Sequence, residues 1–185
     1  MVDFLTNPLN KKAQTSLDSI IIQDDGTYPN NKKLPLLVLP QVFSFEQQVN
    51  PKDYEAIFKY NGWTNTWRNG LFSFHHYHST AHEVLGVYQG WVKAQFGGPS
   101  GKILEARAGD VLIIPAGVAH KNLGQSTDFS VVGAYPIGQN PDMNEGKKGE
   151  RPLTDQQIKK VPFPVSDPVF GKKGPVISIW TRQMA

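Results

Sequence analysis

The side chains best suited to chemistry in this sequence are its imidazoles. There are five His and no Cys in 185 residues; all five lie between positions 75 and 120, four of them within His75–His82. Without Cys there is no disulfide scaffold, no thiolate nucleophile, no Cys-bound zinc and no iron–sulfur cluster. Any metal must be held by His, carboxylate or other oxygen ligands. His76 and His78 are two apart, so on a strand they share a face. Phe72 and Phe74 have the same parity, which predicts an apolar interior wall carrying two imidazoles. Glu83 follows on what reads as the next strand, among apolar neighbours, and His120 follows the turn Pro115-Ala116-Gly117. Three imidazoles and one carboxylate suit one divalent transition metal per chain, Fe, Mn, Zn or Ni, its identity set by availability and geometry. Coordination would also remove the cost, on the order of several kcal/mol, of burying a lone carboxylate. The alternative is that these His are ordinary barrel residues satisfied by hydrogen bonds.

Other residues near this cluster are candidates for a pocket. Arg68, between Trp67 and Asn69, could hold a substrate carboxylate in its guanidinium fork, or pack on Trp63 or Trp67. Phe72, Phe74, Leu85 and Val87 read as pocket lining or core. Asn122 keeps the parity of His120 and could hydrogen-bond a ligand or substrate. His75 and Tyr77 have the opposite parity to His76 and His78 and should face outward, against an arm or a partner. His82 also has the wrong parity and reaches the pocket only if the turn before Glu83 bulges. No residue stands out as the general acid or base.

These residues need elements to position them. Gly and Pro number 17 and 14, which favours short strands and turns over long helices. One helix is expected: Asn50 caps it, Pro51 opens it, Asp53 and Glu55 favour its N-terminal dipole, Tyr54, Ile57 and Phe58 share a face, and Asn61-Gly62 ends it. Strands are predicted at Ser19–Gln23, at Leu34–Val42 as an edge because of its prolines, and at Leu71–Phe74 leading into the His cluster. Glu83–Tyr88 and Trp91–Phe96 read as a hairpin about Gln89-Gly90. Lys102–Arg107, Val111–Ile114, Phe129–Tyr135 and Val176–Trp180 complete the set. The organisation expected is an N-terminal arm over 1–63, a barrel core over 64–136 and a Pro/Gly/Lys-rich C-terminal arm over 137–185, packed on the barrel or on a partner subunit. Strand-like arms at both ends suit a homodimer.

The net charge of +3 excludes little by its size but more by its distribution. Residues 1–136 carry 11 basic and 11 acidic side chains, and residues 137–185 carry 8 and 5. The C-terminal lysines come as isolated pairs among Gly and Pro, not as the dense basic stripe a nucleic-acid surface needs. No apolar run in the first 22 residues exceeds Ile20–Ile22, and Leu34–Leu39 is short and broken by Pro35. Neither suits an export signal or a membrane span, so a cytoplasmic protein is expected.

The spacing resembles that of the cupins, small β-barrel proteins. Their first motif maps onto Gly70, His76-Tyr77-His78, Glu83 and Gly90; their second maps onto Gly109, Pro115-Ala116-Gly117 and His120. The Asn that normally closes the second motif is replaced by Gly124, with Asn122 nearby. Eighteen residues, 91–108, separate the motifs. The stretches Asp24–Thr27, Asn61–Asn65, Trp67–Gly70, His75–Gly86, Val132–Pro136 and Ser166–Gly171 are similar to the YjlB-like bacterial cupins, a group without an assigned reaction. The resemblance implies an all-β, single-domain jelly-roll barrel (RmlC-like), one short helix before it, and a metal inside on His76, His78, Glu83 and His120.

Such a site fits oxidation or dioxygenation of a small, chelating, possibly anionic substrate, or isomerisation of a sugar-type substrate. The other reading is a barrel that binds or senses a small molecule without catalysis.

Overall fold

The computed structural model describes residues 16–43 and 49–184; positions 1–15 of the expected N-terminal arm lie outside it. Among the described residues, nine strands form two antiparallel sheets in a jelly-roll-like arrangement. The larger has the order β1 (Asp18–Ile22), β2 (Asn31–Leu39), β7 (Val111–Ile114), β4 (Glu83–Gln89), β9 (Ser130–Pro136), β3 (Trp63–Asn69). The smaller has the order β6 (Lys102–Arg107), β5 (Trp91–Phe96), β8 (His120–Gln125). Among the described residues no helix is long and apolar enough to cross a membrane.

The central strands of the larger sheet, β2, β7, β4 and β9, are buried on both faces, which explains their continuous apolar runs. Leu36, Val38, Leu85, Leu112 and Val131 pack with Val92 and Phe96 of the smaller sheet. Leu37, Leu39, Val84, Val132 and Ala134 pack on the other side against α1 (Pro51–Tyr60) and the C-terminal segment. Helix α1 forms as expected: the Asn50 side chain accepts from Lys52 N, Pro51 opens it, and Tyr54, Ile57 and Phe58 are buried. Gly86 lets that helix dock, since a Cβ there would lie 2.5 Å from the Tyr54 ring.

Four strand expectations are corrected. β2 is not an edge: it lies between β1 and β7, and Pro35 falls in the irregular stretch between the Ile20–Leu36 and Ile22–Asn31 pairs, where no ladder hydrogen bond is asked of it. Glu83–Tyr88 and Trp91–Phe96 do not form a hairpin; β4 pairs with β7 and β9 while β5 pairs with β6 and β8, so Gly90, at a φ of 68°, passes the chain between sheets. Leu71–Phe74 is not a strand. It has no ladder partner, and Phe72 and Phe74 are 46% and 42% exposed, stacked on each other with ring centres 5.0 Å apart. Val176–Trp180 is a π-type helical turn, followed by the 3-10 turn Thr181–Met184. Val176 N donates to the buried Asp167 carboxylate, and Trp180 Nε1 donates to Pro35 O, both within this chain. The C-terminal half of the strand-exchange motive for a dimer is thereby lost. A short helix, α2 (Leu153–Ile158), and strands β3 and β8 were not expected.

Candidate functional site

The four predicted ligands meet at the mouth of the barrel, brought there by three local structures. Glu83 opens β4 with the inward parity of Leu85 and Val87. The turn Pro115–Gly117 closes on the cluster through Gly117 N to His78 O at 2.8 Å, with Gly117 at a φ of 92° that favours glycine. His76 and His120 form an isolated antiparallel bridge, His120 N to His76 O at 2.9 Å and His76 N to His120 O at 3.2 Å. This bridge joins the two halves of the site, and the His76 and His120 ring centres lie 4.1 Å apart.

A strap from the C-terminal arm completes the frame. Tyr77 and Asn144 exchange backbone hydrogen bonds at 2.9 and 3.1 Å, Ser79 N donates to Asp142 Oδ1 at 2.6 Å, and Thr80 Oγ1 donates to Asn140 O at 2.7 Å. His78 Nδ1 donates to the Asp142 carbonyl, and His120 Nδ1 donates to the Val118 carbonyl at 3.2 Å. A carbonyl can only accept, so both rings carry their proton on Nδ1 and turn Nε2 inward.

Those two Nε2 atoms face one carboxylate. His78 Nε2 lies 3.4 Å from Glu83 Oε1, and His120 Nε2 lies 3.3 Å from Glu83 Oε2. Glu83 is 3% exposed, and among the described residues neither its Oε2 nor the buried Nδ1 of His76 has a hydrogen-bond partner. Burial alone would raise the Glu83 carboxyl; the imidazoles of His78 and His120 bring it well below the usual range. Burial pulls the His78 ring down, but Glu83 and the Asp142 carbonyl outweigh it and raise it. Burial and then His120 push His76 down to about 3. Among the described residues no three His, Asp or Glu side chains could hold a metal ion together as they are placed. Three imidazoles and a carboxylate are nonetheless donors that a divalent ion accepts. Ligands each about 2.1 Å from one ion, at right-angled to tetrahedral spread, lie roughly 3.0–3.4 Å apart, as do the Glu83 oxygens and the two Nε2 atoms.

Two functional residues escaped the sequence reading. Tyr135 donates to Glu83 Oε1 at 2.9 Å, and Trp67 Nε1 donates to the Tyr135 hydroxyl at 2.9 Å. Burial and then the Glu83 charge hold the Tyr135 phenol above its usual range, so it stays a donor. Trp67 lies across Gly133, where a Cβ would come within 2.1 Å of its ring. Both residues come from β3 and β9, whose pairing sequence periodicity does not reveal. With Leu71, Phe72, Leu85 and Met143 they line a cavity of about 310 Å³ above the cluster.

Of the predicted pocket residues, Leu85, Phe72 and Arg68 line this cavity and four do not. Arg68 is at the mouth, but its fork is taken by Glu55, at 2.6 and 2.9 Å, and does not rest on a Trp ring. Phe74 lies outside because its segment leaves the barrel before His76. Val87 is one turn of the pleat too deep and packs in the core. The Asn122 side chain bonds Gln125 Oε1 at 2.5 Å and Gly124 N at 2.8 Å, tying the bulged strand β8 to itself. His82 faces away, as its parity requires; its Nδ1 accepts from Ala116 N at 3.0 Å. His75 and Tyr77 also face away from the cavity. His75 packs on Tyr28, and the Tyr77 hydroxyl donates to Glu150 while accepting from the Thr154 hydroxyl.

Residues 47–144 match the family described as "Cupin". An uncharacterised protein of Bacillus subtilis (strain 168), YjlB, is 41% identical over 159 residues, 86% of this chain and 93% of its own. Among solved structures, the dTDP-6-deoxy-D-glucose-3,5-epimerase RmlC from Legionella pneumophila is 17% identical over 65% of this chain and 72% of its own, with a TM-score of 0.37. Acireductone dioxygenase from Bacillus anthracis, solved with cadmium in its active centre, is 14% identical over 68% and 81%, with a TM-score of 0.38. At such scores neither structure says anything about substrate here.

Proposed function

The chain belongs to the cupin family, and from that premise we propose that it is a cytoplasmic metal-dependent enzyme that oxidises a small chelating molecule. His76, His78, His120 and Glu83 would hold one divalent transition metal. The observation that carries this reading is the pair of inward Nε2 atoms. With both Nδ1 atoms turned to carbonyls, the Nε2 atoms of His78 and His120 face the Glu83 oxygens across 3.4 and 3.3 Å, where a proton on the ring or a bound cation would balance the carboxylate. That arrangement asks for a cation, and His76 adds a third imidazole beside it. Loading requires a small adjustment of the rings, His76 included, since its unpartnered Nδ1 is buried.

When bound, such an ion supplies Lewis acidity and, if it is iron or manganese, one-electron chemistry. The chain supplies the rest. Trp67, Leu71, Phe72 and Met143 give the cavity an apolar mouth that excludes water from the substrate, and its volume of about 310 Å³ limits that substrate to a small molecule. Tyr135 and Trp67 fix the carboxylate through their relay of hydrogen bonds. Oxidation is favoured over sugar-type isomerisation because the latter needs a free acid or base. Among the lining residues the Tyr135 proton is committed to Glu83 and the Arg68 cation to Glu55. A homodimer remains part of the proposal, although β1 pairs with β2 within the chain, and light scattering at micromolar concentration checks it.

Elemental analysis of untagged protein tests the metal: about one equivalent of transition metal per chain is expected, and trace amounts in His76→Ala and Glu83→Gln. Equal trace metal in all three would end the proposal. Oxygen uptake by the metal-loaded protein with small chelating acids then separates an enzyme from a barrel that only binds.

A further inference from the structure

A second cavity, about 480 Å³ in volume, lies between the loop joining β1 to β2 and the segment that carries α2, and shares no lining residue with the first. His82 reaches its wall. As neighbours on an extended chain, His82 and Glu83 point in opposite directions, so one lines each cavity. His82 is 1% exposed, and its Nδ1 accepts the Ala116 N–H at 3.0 Å. A nitrogen that accepts carries no proton, so the neutral ring bears it on Nε2. That Nε2 is buried and has no hydrogen-bond partner among the described residues. A buried donor left unpaired is unfavourable, and an occupant offering an oxygen would remove that cost.

The rest of the cavity defines the occupant. Pro29, Leu34, Ile158, Val161 and Phe163 make its walls apolar. Its two carboxylates are both engaged by one guanidinium: Arg151 donates to both oxygens of Asp24, at 2.8 and 2.5 Å, and to both of Asp155, at 2.9 and 2.6 Å. Lys32, Lys33 and Lys159 stand exposed at the rim, and none makes an ion pair among the described residues. Apolar walls, a deep N–H donor and a cationic rim select an anion with an apolar body. We propose that this cavity is a second binding site, for a small apolar anion such as an aromatic carboxylate or sulfonate, whose acceptor oxygen takes the His82 Nε2 proton and whose charge is held by Lys32, Lys33 and Lys159.

The test uses full-length protein and 8-anilinonaphthalene-1-sulfonate as the probe. Saturable fluorescence enhancement is expected, with a shift of the ¹⁵N resonance of His82 Nε2 on saturation. Affinity should fall about tenfold or more in Lys33→Glu/Lys159→Glu through loss of the opposite charge, and binding should vanish in Val161→Trp, which fills the cavity. His82→Phe also strips Ala116 N of its acceptor and can fail to fold, which is why the rim and wall variants carry the test. The proposal is overturned if the wild type shows no saturable binding, if Val161→Trp binds as the wild type does, or if the His82 Nε2 resonance is unmoved at saturation. The last result would leave a buried water as the partner of that nitrogen.

Discussion

The Tyr135 hydroxyl donates to Glu83 Oε1 at 2.9 Å while itself accepting from Trp67 Nε1 at the same distance. A side chain on β9 thus holds the one carboxylate of the candidate metal centre, and a side chain on β3 holds the holder. Removing the middle of this relay leaves a half-buried indole N–H and a buried carboxylate oxygen each short of a partner. Tyr135→Phe should therefore cost about 1–3 kcal/mol of stability and weaken metal binding about 10–100-fold, as loss of a group orienting a ligand does. Urea unfolding and competition with a chromophoric chelator measure the two effects separately. A variant destabilised as stated but binding metal as the wild type does would reduce Tyr135 to a packing role.

Metal removal should be felt by the whole fold. His76 and His120 are joined to each other by an isolated backbone bridge, and a shared ion would cross-link them a second time. At a free metal concentration about 100 times the dissociation constant, binding to the folded state alone adds about 2.7 kcal/mol. Stripping the protein with a chelator should lower its melting temperature, and restoring manganese or iron should recover it. Glu83→Gln should melt at one temperature with or without metal. Recovery by metal in Glu83→Gln equal to that of the wild type would count against Glu83 as a ligand.

What could be read from the sequence was whatever local residues decide. Helix α1 was legible because Asn50, Pro51 and the stripe Tyr54, Ile57, Phe58 specify it without outside help. The grouping of His76, His78, Glu83 and His120 was legible because they keep a spacing that the barrel imposes. Strand β8 was not, since His120-Lys121-Asn122-Leu123-Gly124-Gln125 has no clear alternation and takes its extended form from pairing with β5. Val176–Trp180 looks like a strand by its β-branched residues, yet Asp167 captures Val176 N and turns the chain into a helix. Trp67 and Tyr135 could not be found from spacing because their meeting depends on the β3–β9 register, which puts Trp67 opposite Gly133.

The strap over the site should loosen in acid. Glu150 accepts from Glu145 N at 2.9 Å, Gly146 N at 2.8 Å and Tyr77 Oη at 3.0 Å. Burial raises its carboxyl, but these hydrogen bonds outweigh that and lower it; the Arg151 hydrogen bonds likewise lower Asp24. A carboxylate whose folded pKa lies below its unfolded value stabilises the fold above the unfolded value and loses that contribution as pH falls through the folded one. Amide protection over residues 142–150, corrected for intrinsic exchange, should therefore hold from pH 7 to about 5 and decline below about 4. Glu150→Gln should show weaker protection at pH 6 and less further loss on acidification. Protection in the wild type that is flat down to pH 3 would show that other contacts hold the strap.

Two glycines on the larger sheet allow the site to be separated from the fold. At Gly133 a Cβ would come within 2.1 Å of the Trp67 ring, on the barrel face; at Gly86 it would come within 2.5 Å of the Tyr54 ring, on the helix face. Alanine at either position overpacks a buried contact and should cost about 1–3 kcal/mol. Only Gly133→Ala pushes Trp67 off the Tyr135 hydroxyl and so releases Glu83. At similar losses in urea midpoint, Gly133→Ala should bind metal weakly, whereas Gly86→Ala should bind it as the wild type does. Matched metal affinity in the two variants would mean that the Trp67–Tyr135–Glu83 relay stabilises the barrel without tuning its centre.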